Sequence, residues 1–128
     1  MCCPDAYIAI AETWYQDWSI SKFIVESYGG KFVGILQPVS YVGTPYKEHL
    51  NGDPMISDEQ LAAQYATIYT NFKKILKNNQ FAYLDLSNSL NKEDTQDIPY
   101  YFDFCHLSPG GNILIAEKIA KYISSKSE

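Results

Sequence analysis

The sequence predicts an α/β fold in which parallel strands form a sheet that this chain alone leaves incomplete. Residues 31–37 and 81–86 are short apolar runs bounded by glycine, proline or asparagine, the pattern of strands buried on both faces. A capped amphipathic helix lies between them, and that order implies a right-handed crossover and a parallel pair. The third observation is an imbalance. Three helices with apolar stripes need a sheet covered on both faces, whereas two strands offer little area and leave two unpaired edges. Further strands are therefore expected from another chain, or from a larger domain of which residues 1–128 form a single C-terminal part.

Residues 5–28 contain neither proline nor glycine, and Tyr7, Ile10, Ala11, Trp14 and Trp18 recur at helical spacing before the face drifts to Ile20, Phe23, Ile24 and Ser27. One long helix, or two in succession, is expected. Gly29 and Gly30 supply its left-handed stop, and Pro38 ends the strand that follows. Residues 39–56, with Gly43, Pro45, Gly52 and Pro54, read as a long irregular excursion of the kind that carries function or a lid. Ser57-Asp58-Glu59-Gln60 has the form of a capping box, with Ile56 stapled onto Leu61. The helix it opens carries the stripe Leu61, Tyr65, Ile68, Phe72, Ile75 and Leu76, has Lys73, Lys74 and Lys77 near its negative pole, and ends at Asn78-Asn79. Residues 87–101 read as polar loop. Ser108-Pro109 places an N-cap and a first-turn proline at the start of a last helix striped with Ile113, Ala116, Ile119, Ala120 and Ile123. The tail from 124 to 128 is expected to fray.

With 46% hydrophobic and 20% charged residues, the chain has the composition of a soluble globular domain rather than of a disordered or fibrous polymer. Its formal charge is -5 and all ten basic residues are lysine, so no guanidinium is present to fork onto phosphate or guanine. Nucleic acid is not an expected partner. No apolar run approaches the ~20 residues of a membrane span, and Met1-Cys2-Cys3-Pro4-Asp5 lacks the basic and apolar parts of a signal peptide. Neither feature is expected within this chain, and the compartment stays open. Three cysteines, with Cys2 and Cys3 adjacent and Cys105 remote, form neither a disulfide framework nor a metal knuckle. Free thiols are expected, with no metal and no cofactor.

The densest cluster of reactive groups spans residues 101–112, where Asp103 and His106 lie three apart, after a parallel strand and before a helix. α/β proteins place their sites at such positions. An imidazole that takes a proton from a hydroxyl needs the correct tautomer and a stabiliser for its protonated form, and a carboxylate at Nδ1 supplies both. His106 is accordingly the candidate general base and acid, and Asp103 its orienting partner. Tyr100 and Tyr101 are candidates to line a substrate cleft, with Gln37 at the end of the first strand facing it. Cys105 is expected to be a buried thiol rather than a nucleophile, because neighbours on an extended loop point apart. His49, near Glu48 and Asp53, is expected to stay solvated, and Asp85 to be structural.

The run Asp103-Phe104-Cys105-His106-Leu107-Ser108-Pro109-Gly110-Gly111-Asn112, continuing through Ile115-Ala116-Glu117, resembles the last conserved block of the SGNH/GDSL hydrolases. In that family an Asp-x-x-His supplies the catalytic acid and base. Upstream, the strand ending in Gln37-Pro38 looks like one found in some members. The resemblance implies an SGNH/flavodoxin-like fold, a three-layer α/β/α sandwich with parallel strands, of which this chain is the C-terminal part. It also implies a serine ester hydrolase in which His106 is the base and Asp103 its partner. The family's nucleophile in an early Gly-Asp-Ser block, and the glycine and asparagine of its oxyanion hole, have no counterpart here. Gly52-Asp53-Pro54 is the nearest string, but proline stands where serine is needed.

Three functions are therefore expected in turn. The first is an SGNH-type hydrolase of a carboxylic ester, such as an acetyl or acyl group on a carbohydrate or lipid, with this chain carrying only the Asp and His of the site. The second is a catalytically inactive, truncated α/β interaction module that pairs through its open edge with a partner chain or itself. The third, catalysis by this chain alone, needs another hydroxyl such as Ser40 or Ser87.

Overall fold

A computed structural model describes residues 4–126, so the expectations for Cys2, Cys3 and the end of the tail lie outside the described residues. The helix α1 (Pro4–Ser27) is continuous, as the absence of proline and glycine from its body requires. Gly29 stops it with φ +79°, and the amides of Gly29 and Gly30 donate to the carbonyls of Glu26 and Val25 at 3.0 Å each. That is a Schellman closure, in which a left-handed residue lets the last carbonyls find partners. β1 (Gly34–Leu36) follows, and after a long loop with a 3-10 turn at Glu48–Leu50 comes α2 (Glu59–Asn78).

The cap of α2 is Asp58, whose carboxylate accepts from the Leu61 amide at 2.9 Å, while the Ser57 hydroxyl turns to the Pro54 carbonyl. The expected box is thus displaced by one residue. A carboxylate at this position both satisfies an amide and neutralises the positive helix end, which a hydroxyl does only in part. Of the stripe on α2, Ile68, Phe72 and Leu76 are buried with Tyr69 added to them, while Leu61, Tyr65 and Ile75 are only partly covered. β2 (Tyr83–Asp85), α3 (Lys92–Thr95) and α4 (Pro109–Ser125) complete the order. α3 lies within the segment expected to be loop.

β1 and β2 pair in parallel, with Gly34 opposite Tyr83, Ile35 opposite Leu84 and Leu36 opposite Asp85. The core sits between α1, α2 and β1, where Ala11, Leu36, Val39, Tyr69, Phe72 and Leu76 are packed under Trp14 and Trp18. The Trp18 ring meets Phe72 edge-on at 4.9 Å between centroids and lies so close to Gly34 that a Cβ there would fall 2.3 Å from it. Only glycine admits that contact.

The three-layer α/β/α sandwich is not what these residues form. Among the described residues helix accounts for 55% and strand, isolated bridges included, for 8%, and the sheet has only two strands, so the architecture is mainly helical with a minimal parallel pair. Pairing stops short of the apolar runs because Phe32 and Phe81 pack on Trp18 at 6.4 and 6.1 Å instead of extending the ladder. The expected strand of residues 31–37 is cut to Gly34–Leu36 and that of 81–86 to Tyr83–Asp85. Nor does α4 close over the sheet: its expected stripe stays open, Ile113 being 62% exposed, and Gly111 is its one buried residue among those described.

Candidate active site

Residues 101–107 form a closed loop between β2 and α4. Tyr101 and Leu107 make an antiparallel bridge, the Phe102 amide donates to the His106 carbonyl at 2.8 Å, and the Ser108 amide donates to that of Tyr100 at 2.8 Å. The Ser108 hydroxyl caps α4 by accepting from the Gly111 amide, with Pro109 in the first turn. From the other side the Ser40 amide donates to the Phe104 carbonyl at 3.0 Å, tying the loop to the end of β1. The Phe104 ring packs on Tyr41 at 5.8 Å, and the Tyr41 hydroxyl donates to the Met55 carbonyl.

Inside this frame Asp103 makes an Asx turn. Its Oδ1 accepts from the amides of Cys105 at 2.9 Å and His106 at 2.7 Å, which leaves Oδ2 to accept from His106 Nδ1 at 2.7 Å. Burial pulls the Asp103 carboxyl upward, but the Cys105 amide, the His106 ring and the His106 amide outweigh it and hold the carboxyl down to about 2. An ionised Asp103 accepts only, so Nδ1 carries the proton in this bond and the neutral ring presents its lone pair at Nε2. The His106 side chain is 75% exposed against 31% for Asp103, so the acid is held and the ring is available.

Cys105 departs from expectation. The Asx turn curls the loop so tightly that Sγ lies 3.6 Å from His106 Nδ1 instead of pointing away from it. The thiol is half-buried against the core, and burial together with the Asp103 charge pushes its pKa up, which keeps it a protonated, poor nucleophile.

A groove of about 450 Å³ adjoins His106, lined by Ile35, Gln37 and Pro38 at the end of β1, by Leu107 just before α4, and by Asn112, Ile115 and Ile119 along it. Gln37 therefore lines the same groove as His106. Tyr101 and Tyr100 are not in that lining. Tyr101 is 2% exposed and belongs to the interior, where burial raises its hydroxyl pKa, and the Tyr100 ring lies over Gly110. What Tyr101 offers is its carbonyl, which accepts from His49 Nε2 at 2.7 Å. His49 is thus bonded rather than merely solvated, and its ring stacks on Tyr46 at 5.4 Å. Asn112 was missed because its position reads only as helix start.

Neither candidate hydroxyl is in reach of a substrate. Ser40 is fully buried, with no hydrogen-bond partner for Oγ among the described residues. Ser87, 2% exposed, donates from Oγ to Asp85 Oδ1 at 2.6 Å and accepts from Lys73 Nζ at 2.6 Å. Lys73 Nζ also lies 2.9 Å from Asp85 Oδ2. Burial opposes ionisation of Asp85, yet the Ser87 hydroxyl and Lys73 hold its carboxyl below the usual range, so it is charged and pinned to α2. No helix among the described residues is long and apolar enough to cross a membrane. Compared with known proteins, the chain matches no family model, and no curated protein matches it.

Proposed function

We propose that the chain is the acid–base half of an SGNH-type ester hydrolase. The observation that carries this reading is the Asp103–His106 pair, with the carboxylate bonded to Nδ1 at 2.7 Å and the ring at the mouth of a groove. In the proposed cycle His106 Nε2 takes the proton of an attacking serine hydroxyl and returns it to the leaving alcohol, while Asp103 holds the tautomer and stabilises the imidazolium. Gln37 and Asn112 are the polar groups of the lining, and Ile35, Ile115 and Ile119 give it an apolar wall suited to an acyl chain. The serine and the oxyanion donors come from a second polypeptide segment. Without them the pair gives little acyl transfer.

The place for that segment is the free edge of β1. Ile35 and Gln37 line the groove beside His106 and also a second cavity of about 280 Å³ bounded by Trp14, Trp18, Tyr69 and Phe72. β1 is thus open along one edge, between apolar walls from α1 and α2 on one hand and α4 on the other. The same observation favours a second reading, an interaction module that pairs with a partner chain or itself through this edge.

The test is p-nitrophenyl acetate turnover and fluorophosphonate labelling, on this chain alone and on the polypeptide extended by the coding sequence ahead of Met1. The hydrolase reading expects labelling of a serine in the extension, lost on His106→Ala. Turnover or labelling indifferent to His106 defeats it, and an extension without effect leaves the interaction module.

A further inference from the structure

We propose that Asp103, Cys105 and His106 form a capture site for a borderline-soft divalent cation, Zn²⁺, whose binding excludes the Asp103–His106 hydrogen bond. The three candidate donors, a carboxylate oxygen, Sγ and Nδ1, all lie within 4.8 Å of one another. A tetrahedral zinc with bonds of about 2.3 Å to sulfur and about 2.0 Å to nitrogen sets those two atoms about 3.5 Å apart. Sγ and Nδ1 already stand at 3.6 Å. The carboxylate is the part that must move: Oδ2 lies 2.7 Å from Nδ1 and has to open to about 3.3 Å. Its turn is kept by Oδ1, which the amides of Cys105 and His106 hold in place. The exposure of the His106 side chain leaves room for water as the fourth ligand.

The donor set is chemically selective. Thiolate and imidazole favour zinc over hard cations such as magnesium, which demand oxygen ligands. On binding, the thiol proton leaves to solvent, and the ring proton moves from Nδ1 to Nε2, so that charge and protons balance with one proton released. An Nε2 that carries a proton cannot accept another. Cation binding stands on the loop geometry alone; its consequence, inhibition of the base, rests on the hydrolase reading above.

The experiment is a Co²⁺ titration of the full chain carrying Cys2→Ser and Cys3→Ser, followed by displacement with Zn²⁺. A near-ultraviolet thiolate-to-cobalt absorption is expected, saturating at equimolar cation, bleached by Zn²⁺ and untouched by Mg²⁺. Cys105→Ser removes the band, and both Cys105→Ser and the exposed-site variant His106→Gln weaken Zn²⁺ binding at least about tenfold, the lower bound for loss even of an outer-shell partner. Circular dichroism of His106→Gln separates lost binding from lost folding. No band, a band that survives Cys105→Ser, or a Zn²⁺ affinity unchanged by both substitutions overturns the proposal. The hydrolase reading fails separately, if the extended polypeptide shows turnover or labelling indifferent to His106, and that outcome leaves the cobalt band untouched.

Discussion

Asp103 is bonded at both oxygens, and the pH dependence of stability follows from that. A carboxyl held at about 2 in the folded chain, against ~3.9 in an unfolded one, contributes its full share above about pH 4 and loses it as pH falls toward 2. Asp85, also depressed, acts with the same sign. Asp103→Asn is therefore expected to lower the urea midpoint at pH 6 and to flatten, without abolishing, the loss of stability between pH 4 and pH 2. A variant that loses stability as steeply as the parent shows that the carboxylate contributes nothing. In the complemented enzyme the same substitution leaves the ring in place but releases its tautomer, and kcat is expected to fall by about 10³ to 10⁴ with little change in KM. At this scale the sequence was legible where chemistry is local. The Asp-x-x-His spacing announces the pair, and the strand-end residue Gln37 borders the same groove as His106. The convergence of Cys105 on His106 was not, because it depends on both amides after Asp103 turning onto one oxygen, and no residue type at 104 or 105 demands that. Tyr101 failed for a different reason: a tyrosine in a loop reads the same whether its ring faces a cleft or the core.

Two helix ends use the same closure with different residues. α1 stops at Gly29, and α2 stops with Gln80 at φ +52°, its amide on Lys77 and the Phe81 amide on the Leu76 carbonyl at 3.1 and 2.9 Å. A side chain in the left-handed region costs about 1 kcal/mol that glycine does not. Gln80→Gly is expected to raise unfolding free energy by about 0.5–1 kcal/mol in a urea titration, and a loss of stability there refutes the cap. Gly34→Ala works in the opposite direction. The added carbon meets the Trp18 ring inside van der Waals distance, and repacking costs about 1–3 kcal/mol. The three long helices were legible from the sequence because 3.6-residue spacing, caps and glycine stops are local signals, whereas the single turn of α3 carries no such period. Strand length was not, since Phe32 and Phe81 satisfy a strand pattern equally well while leaving the ladder for Trp18. The one-residue shift from Ser57 to Asp58 is a competition between two good caps that only backbone geometry decides.

The parts of the whole molecule are unequally covered. α1, α2 and β1 enclose the core, while α4 stands off with Ile113 exposed and Ile115 and Ile119 facing the groove along the β1 edge. The apolar stripe of α4 was readable in the sequence, but its burial was not, because burial needs a surface that these residues do not provide to one another. An open parallel edge flanked by apolar side chains recruits further backbone, whether from an added segment or a second copy. The purified chain is accordingly expected to self-associate in sedimentation velocity as concentration rises. Ile115→Glu with Ile119→Glu should return it to a monomer, because charges placed on that wall cannot be desolvated by an incoming strand. α4 makes little of the core, so the double variant is expected to keep the parent's circular dichroism and to lose under about 1 kcal/mol of stability. A parent chain that sediments as a folded monomer at every concentration removes self-pairing. The β1 edge then awaits a strand from a different polypeptide, and adding that polypeptide must restore both the larger species and, if the serine comes with it, fluorophosphonate labelling that depends on His106.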